Sequence, residues 1–279
     1  VEKIKIITDS TADLPQHIID QYDIEVLPLL VNFGSETYID GVTIKISELL
    51  RRIKEADIFP GTAQVNPQRF YECFKKYLSE GYKIVSLHLS SRMSGTYQSA
   101  CIAKEMLETE NIVVIDSYNV TAGLGLLAIK ACRLRDKGLD IKEIESEILK
   151  AIPHVKSALG FESLDNLVKG GRLSKTAGII GNILGIKPIL AVKDGEMAVI
   201  DKVRGSKKAV KTIIDYMETT GVKKDEPCFL LYVENEDILF NLRDNLASKN
   251  MEFVECEVGC VVGVHAGPNA CGVFFLEDY

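Results

Sequence analysis

The sequence predicts an α/β fold in two parts. Residues 1–155 form an N-terminal domain with a mainly parallel sheet flanked by helices, and residues 156–279 form a C-terminal α+β domain with a largely antiparallel sheet. Three observations predict it. Before Pro153, short apolar runs alternate with helical patterns, the arrangement that right-handed crossovers into a parallel sheet require. After Pro153 strand-like segments predominate, with only two or three helices among them. Lys193-Asp194-Gly195-Glu196 sets Asp-Gly between two apolar runs, a hairpin signal.

Ile4-Lys5-Ile6-Ile7-Thr8 reads as a strand ending in the polar cluster Asp9-Ser10-Thr11. Leu14 to Tyr22 reads as a helix, with Asp13 as its cap and Pro15 in its first turn. The run 25–33 is strand-like but interrupted by Pro28, which assigns it to a sheet edge. Helices follow over 47–56 and from Asn66-Pro67 to Ser79. A strand over 83–89 leads to a helix over 95–108, and a strand over 112–115 leads to helices over 121–137 and 141–151. In the second part the strands are expected at 155–161, 188–193, 196–204, 227–233, 252–258 and 271–277. In a parallel sheet ligands gather beyond the C-terminal strand ends. Here those ends are Thr8-Asp9-Ser10-Thr11, Ser90 to Thr96, and Asp116-Ser117.

Composition excludes several classes. Lys and Arg number 33 against 40 Asp and Glu, a formal net charge of −7, which disfavours general nucleic-acid binding and attraction to an anionic membrane. No apolar run is long enough to span a bilayer, and the first residues carry no signal-peptide core, so a cytoplasmic protein without stable membrane insertion is expected. Seven scattered cysteines with no Cys-x-x-Cys pair fit reduced thiols.

Ser94-Gly95-Thr96 stands between a strand and a helix. Ser94 is a natural N-cap, and the same hydroxyl and free amides suit an anion, with Gly95 permitting close approach. A nucleophile elbow would need glycines where Arg92 and Thr96 stand. The alternative function is nonetheless a small-molecule hydrolase or transferase using Ser94 and His265, with Asp116 as a third member. Thr62 lies in a polar loop and gains meaning only beside another anion-binding group. Gly123-x-Gly125-x-x-Ala128 copies the letters of a dinucleotide fingerprint but lies inside a helical pattern. Cys256, Cys260, His265 and Cys271 resemble a zinc knuckle with two gaps too long, among valines that read as core, so no metal is assigned. Lys169-Gly170-Gly171-Arg172 and Lys175 form a basic loop that suits a phosphate, a partner or a plain surface turn. Gly178, Gly181 and Gly185 recur between Ile179, Ile180, Ile183 and Leu184, making a shallow aliphatic groove for another helix or an alkyl chain. Arg204, at a strand end, suits an anionic head group or simple exposure.

Taken together, Ile7-Thr8-Asp9-Ser10-Thr11-Ala12-Asp13-Leu14-Pro15, Tyr38-Ile39-Asp40-Gly41, Thr62-Ala63-Gln64, Ser90 to Ala100, Ile115-Asp116-Ser117, Lys169 to Ser174, Ile186 to Ile189 and His265-Ala266-Gly267-Pro268 resemble the DegV family of bacterial fatty-acid-binding proteins. The matches run in order along almost the whole chain. The resemblance implies two domains with one long-chain fatty acid in a tunnel between them. It implies that Thr62 and Ser94 hold the carboxylate, with Gly95 and His265 close by and Arg204 as a further contact. Ile179, Ile183 and Leu184 are candidate tunnel walls, and Lys169, Arg172 and Lys175 candidate docking residues. The implied partner is a fatty acid kinase, which forms an acyl phosphate for phospholipid synthesis. The protein itself is then a carrier, not an enzyme, and needs no cofactor. Ala63-Gln64-Val65, Met93, Gly185 and Asn269 depart from the usual family pattern without removing a carboxylate donor, and Met93 and Gly185 bear on the shape of the tunnel.

Overall fold

The computed structural model describes residues 2–56, 58–173, 185–234 and 236–279, the side chains of Glu236 and Asp237 excepted. Strand β1 (Ile4–Asp9) is buried at every position, as a strand covered on both faces must be. It pairs in parallel with β2 (Glu25–Leu27) on one side and β6 (Lys83–His88) on the other, and β6 pairs in parallel with β7 (Ile112–Asp116). The sheet order is β2-β1-β6-β7, so the expected parallel sheet is present. Helices α3 (Pro67–Ser79) and α4 (Thr96–Leu107), which lead into β6 and β7, pack on each other, and α5 (Ala122–Asp136) and α6 (Ile141–Ala151), which follow β7, do the same. Asn66 caps α3 by accepting the Arg69 amide, with Pro67 in the first turn as the sequence indicates.

The apolar run 25–33 is not one strand. Pro28 has no N–H for a ladder, and the chain changes sheet there. Glu25–Leu27 closes the parallel sheet, whereas β3 (Leu30–Phe33) joins β4 (Glu36–Ile39) and β5 (Gly61–Ala63) in a three-stranded antiparallel sheet. Nor does Asp13 cap the helix that follows it. A 3-10 turn occupies Ser10–Ala12, Asp13 takes a left-handed φ of 49°, and α1 (Gln16–Tyr22) starts after Pro15.

The later strands form one six-stranded sheet: β8 (Val155–Gly160), β9 (Ile186–Lys193), β10 (Glu196–Arg204), β11 (Cys228–Tyr232), β12 (Phe253–Glu257) and β13 (Cys271–Leu276). The order is β10-β9-β8-β13-β11-β12, antiparallel throughout except for the β11–β12 pair. The β9–β10 hairpin turns through Asp194 and Gly195, both at positive φ (50° and 82°), as a tight right-twisted hairpin demands. Helices α8 (Ser206–Thr220) and α9 (Glu236–Ser248) cover this sheet and share a core cluster with it.

Helix α5 joins the two halves. It touches β1 and β6 of the parallel sheet and β8 and β13 of the other. It is buried on nearly every side, including Leu124, Leu126, Leu127 and Ile129, which explains why its sequence lacks an amphipathic stripe. One hydrophobic cluster accordingly runs through both halves.

Close packing at β13 makes Gly272 irreplaceable. A Cβ there would lie 2.2 Å from the Ala158 carbonyl oxygen and 2.6 Å from the Leu159 Cα, both main-chain atoms of β8. Gly272→Ala is expected to cost more than about 2 kcal/mol, read as a melting temperature lower by at least about 5 °C. An unchanged melting temperature would contradict this strand packing.

Candidate functional site

Beyond the C-terminal ends of β1, β6 and β7, the chain forms a mostly apolar cavity. One wall comes from Thr11, the strand β5, the loop from Leu89 to Gly95, and Val120-Thr121. The opposing wall comes from Leu159, Met197 and Leu231 of the six-stranded sheet, from Phe161 just beyond β8, and from a short helix, α10 (Cys260–Ala266). Leu167 of α7 (Asp165–Lys169) and Arg172 complete it.

Thr62, Ser94, Gly95 and His265 all line this cavity, although His265 lies more than 160 residues from the others in sequence. Thr62 is placed by the β3–β5 ladder, opposite Val31. Its Oγ1 lies 3.0 Å from His265 Nε2, a hydrogen bond between the two halves of the chain. Ser94 stands one residue before the cap position, which Gly95 occupies. Its hydroxyl still serves the helix start, accepting the Thr96 amide at 3.3 Å and bonding the Thr96 hydroxyl at 3.0 Å. The Gln64 side chain packs against Gly95 and donates to Ser99 Oγ at 3.0 Å, tying the Thr62 strand to α4.

His265 is held in one orientation. Its ring packs on Gly170, where a Cβ would lie 2.1 Å from Nδ1, so only glycine fits. Nδ1 is buried and has no partner among the described residues. A buried N–H without an acceptor is costlier than a buried lone pair, so the proton belongs on Nε2 and is donated to Thr62. The Thr62 hydroxyl proton is then free to point at a ligand. Burial, with the nearby Arg172 charge adding, pushes the imidazole down to about 4, so it is neutral at pH 7.

Arg172 is a wall of the cavity. Its Nε donates to the Met93 carbonyl at 3.1 Å and its Nη1 to the Gly170 carbonyl at 2.5 Å, which binds the loop after α7 to the loop before α4. Lys169 is exposed at the end of α7. Arg204 is exposed at the end of β10, opposite Ile186, and does not line the cavity. Lys175, Ile179, Ile183 and Leu184 lie outside the described residues.

The relay that the hydrolase alternative requires is not assembled. His265 Nε2 is engaged by Thr62, and Asp116 Oδ1 accepts the Ser91 and Tyr118 amides. A different serine, histidine and aspartate are bonded in relay order: Ser86 Oγ to His88 Nε2 at 2.7 Å, and His88 Nδ1 to Asp9 Oδ2 at 3.0 Å. All three are wholly buried, so no substrate reaches Ser86. The wall helix α10 was not legible as a helix, because its three valines read only as core. Two of the three cysteines of the zinc-like spacing serve the main chain instead, Cys256 donating to the Asp13 carbonyl and Cys260 to the Ile44 carbonyl.

The acid–base consequence of His265 has a definite sign. Between about pH 6.5 and 4 the unfolded chain takes up a proton that the folded protein refuses. Stability is therefore lost as pH falls through that window and is complete above it. In urea unfolding of ligand-free protein at pH 7 and pH 4.5, the wild type should lose roughly 2 to 3 kcal/mol more than His265→Gln. Equal losses would contradict the desolvated setting of the ring.

Comparison with known proteins agrees with this architecture. Residues 3–278 match the family described as "Uncharacterised protein, DegV family". A DegV domain-containing protein of Clostridium acetobutylicum is 61% identical over 279 residues, covering 100% of both chains. Among solved structures, a fatty-acid-binding DegV family protein from Thermus thermophilus superposes with a TM-score of 0.91 at 27% identity, covering 99% of this chain and 100% of that one. DegV from Bacillus subtilis, a fatty acid binding protein, superposes at 0.87 with 28% identity and complete coverage of both chains. The chain belongs to the DegV family.

Proposed function

We propose that this protein binds one long-chain fatty acid in the cavity between its parallel and six-stranded sheets, with the carboxylate held by Thr62 and Ser94 beside His265 and Arg172. The observation that carries the reading is the Thr62–His265 pair set at one place in a mostly apolar cavity. Each methylene transferred from water into such a cavity contributes about 0.8 kcal/mol. A carboxylate cannot follow the chain without donors, since an unpaired buried charge is very costly. Thr62, its oxygen occupied by His265, has a proton to donate. Ser94 has a second, and Arg172 lies close enough to lower the imidazole pKa. The reading is further supported by the fatty acids named for the Thermus thermophilus, Bacillus subtilis and Eubacterium ventriosum relatives, the last a stearic-acid-binding protein.

The division at residues 155 and 156 into two domains is supported by strand origin, since the parallel sheet draws on residues 4–116 and the six-stranded sheet on 155–276. The carrier role extends to a kinase. The bound acid is presented to a fatty acid kinase, which transfers the phosphoryl group, and the acyl phosphate passes to phospholipid synthesis in the cytoplasm. Exposed Lys169 suits docking to an acidic partner surface. Arg172, built into the cavity wall, suits the ligand better than a partner. No described helix is long and apolar enough to cross a membrane.

Native and denaturing mass spectra of protein purified from bacterial cells should differ by one fatty acid per chain, recoverable in organic solvent. Protein that is empty and also refuses added long-chain acid would overturn the proposal. Thr62→Val and Ser94→Ala should each weaken binding about ten- to a hundredfold, the worth of a hydrogen bond to a charged group. Unchanged affinity in both would remove the carboxylate assignment. Lys169→Glu should leave lipid affinity intact and slow ATP-dependent acyl phosphate formation by a fatty acid kinase. Equal turnover would exclude Lys169 from the docking surface.

A further inference from the structure

We propose that Asp13 and Asp40 are positioning residues for the carboxylate end of the cavity, fixing the start of α10 and thereby the place of His265 at its far end. The inference rests on the fatty-acid reading above. Helix α10 has only seven residues, so it is about 10 Å long and holds its place through contacts with neighbours, not through its own cooperativity.

Its first amides are taken by two carboxylates from distant parts of the chain. Gly259 N donates to Asp13 Oδ1 at 2.9 Å, and Cys260 N donates to Asp40 Oδ1 at 2.8 Å. Asp13 sits at the left-handed residue after the 3-10 turn, directly beyond β1. Asp40 follows β4 and is itself fixed by Ser10, whose hydroxyl donates to Asp40 Oδ2 at 2.7 Å and accepts the Leu29 amide at 3.0 Å. The middle of the helix is notched at Gly263, where Ile46 Cδ1 lies 2.3 Å from the position a Cβ would take. Its far end is tied by Asn166, which donates to the Val264 carbonyl at 3.0 Å, and by His265 to Thr62. Val261 and Val262, between the two ends, line the cavity.

A short rigid element anchored at one end transmits any slip to the other. One residue of rise is 1.5 Å, enough to break a 3.0 Å hydrogen bond between His265 and Thr62. The chemistry of the anchor supports a positional role. Asp13 and Asp40 are 9% and 3% exposed, and neither makes an ion pair among the described residues. Asp13 Oδ2 has no hydrogen-bond partner there either. Serine would cap a helix at lower desolvation cost, but on a shorter arm. What two carboxylates on separate loops add is a fixed reach from β1 and β4 to successive amides of α10.

The test uses the full chain and cis-parinaric acid, a fluorescent long-chain fatty acid, together with imidazole ¹⁵N–¹H correlation spectra in which His265 is assigned by its loss in His265→Gln. Asp13→Ala and Asp40→Ala should weaken binding about tenfold and shift the His265 ring signals, the effect of displacing one hydrogen-bonding pair. Asp40→Glu keeps the charge but lengthens the arm, and should do the same. Asp13→Asn and Asp40→Asn keep an acceptor oxygen for the same amides, and should restore both affinity and ring signals. Ile148→Ala, in the remote core of α6, should lower the melting temperature without altering affinity. Wild-type binding by Asp40→Glu and the alanine variants, or asparagine variants as weak as alanine, would overturn the proposal. So would an affinity loss in Ile148→Ala as large as theirs. Where alanine variants do not fold, the Asp40→Glu and asparagine pair decides it. Should the wild-type protein fail to bind cis-parinaric acid at all, the fatty-acid reading fails instead, independently of where α10 sits.

Discussion

Asp9 holds together the edge of the parallel sheet that faces the cavity. Its Oδ1 accepts the Thr11 amide and hydroxyl, and its Oδ2 accepts the Leu89 amide and the His88 ring. A carboxylate with no exposure would cost several kcal/mol if unpaired; four donors offset that. The arrangement settles the ends of β1 and β6 relative to each other. Because Thr11 and Leu89 both line the cavity, it also shapes the cavity floor. The chain therefore commits a charged group to architecture at the place where a sheet of this kind exposes its amides.

Around that fixed edge the polar groups divide into two kinds. Some are fully engaged, such as Ser90, which donates to the Gly195 carbonyl and pins the β9–β10 hairpin tip across the sheet edge. Others keep unused capacity, and these meet at Thr62, Ser94 and His265. The neutral imidazole follows from this division. With Arg172 alongside and water excluded, a charge on the ring would have no counter-ion until an anion arrived. Among the described residues the site is thus positive through one guanidinium and through oriented dipoles, with no ion pair of Arg172 to displace.

Much of this was legible in the sequence, for identifiable reasons. The alternation of apolar runs with helical patterns specified the parallel sheet because each strand and each crossover helix carries its own local signal. Asp194-Gly195 specified the hairpin because only such residues accept positive φ at both positions. Thr62, Ser94 and His265 were found through resemblance, and the local pattern at Ser94 agreed. What was hidden depends on distance along the chain. Asp13 looks like a cap for the next helix, yet its carboxylate serves an amide 246 residues away. Helix α10 is specified by such remote partners more than by its own valines, whose propensity points to a strand. Arg172 reads as surface charge because nothing near it in sequence announces the Met93 carbonyl that receives it.

Helix α5 has a consequence for the integrity of the whole. Its apolar surface is divided between two sheets, and Gly123 lies where Phe274 of β13 leaves no room for a side chain. Severed near residue 155, the first half would present to water a helix face built to meet β8 and β13, and the second half would lose the cover of its sheet. The two halves therefore form one cooperative unit, and heat or denaturant should dismantle them in a single transition. The cavity they enclose is then as durable as the complete fold, and neither half retains it once its counterpart has gone.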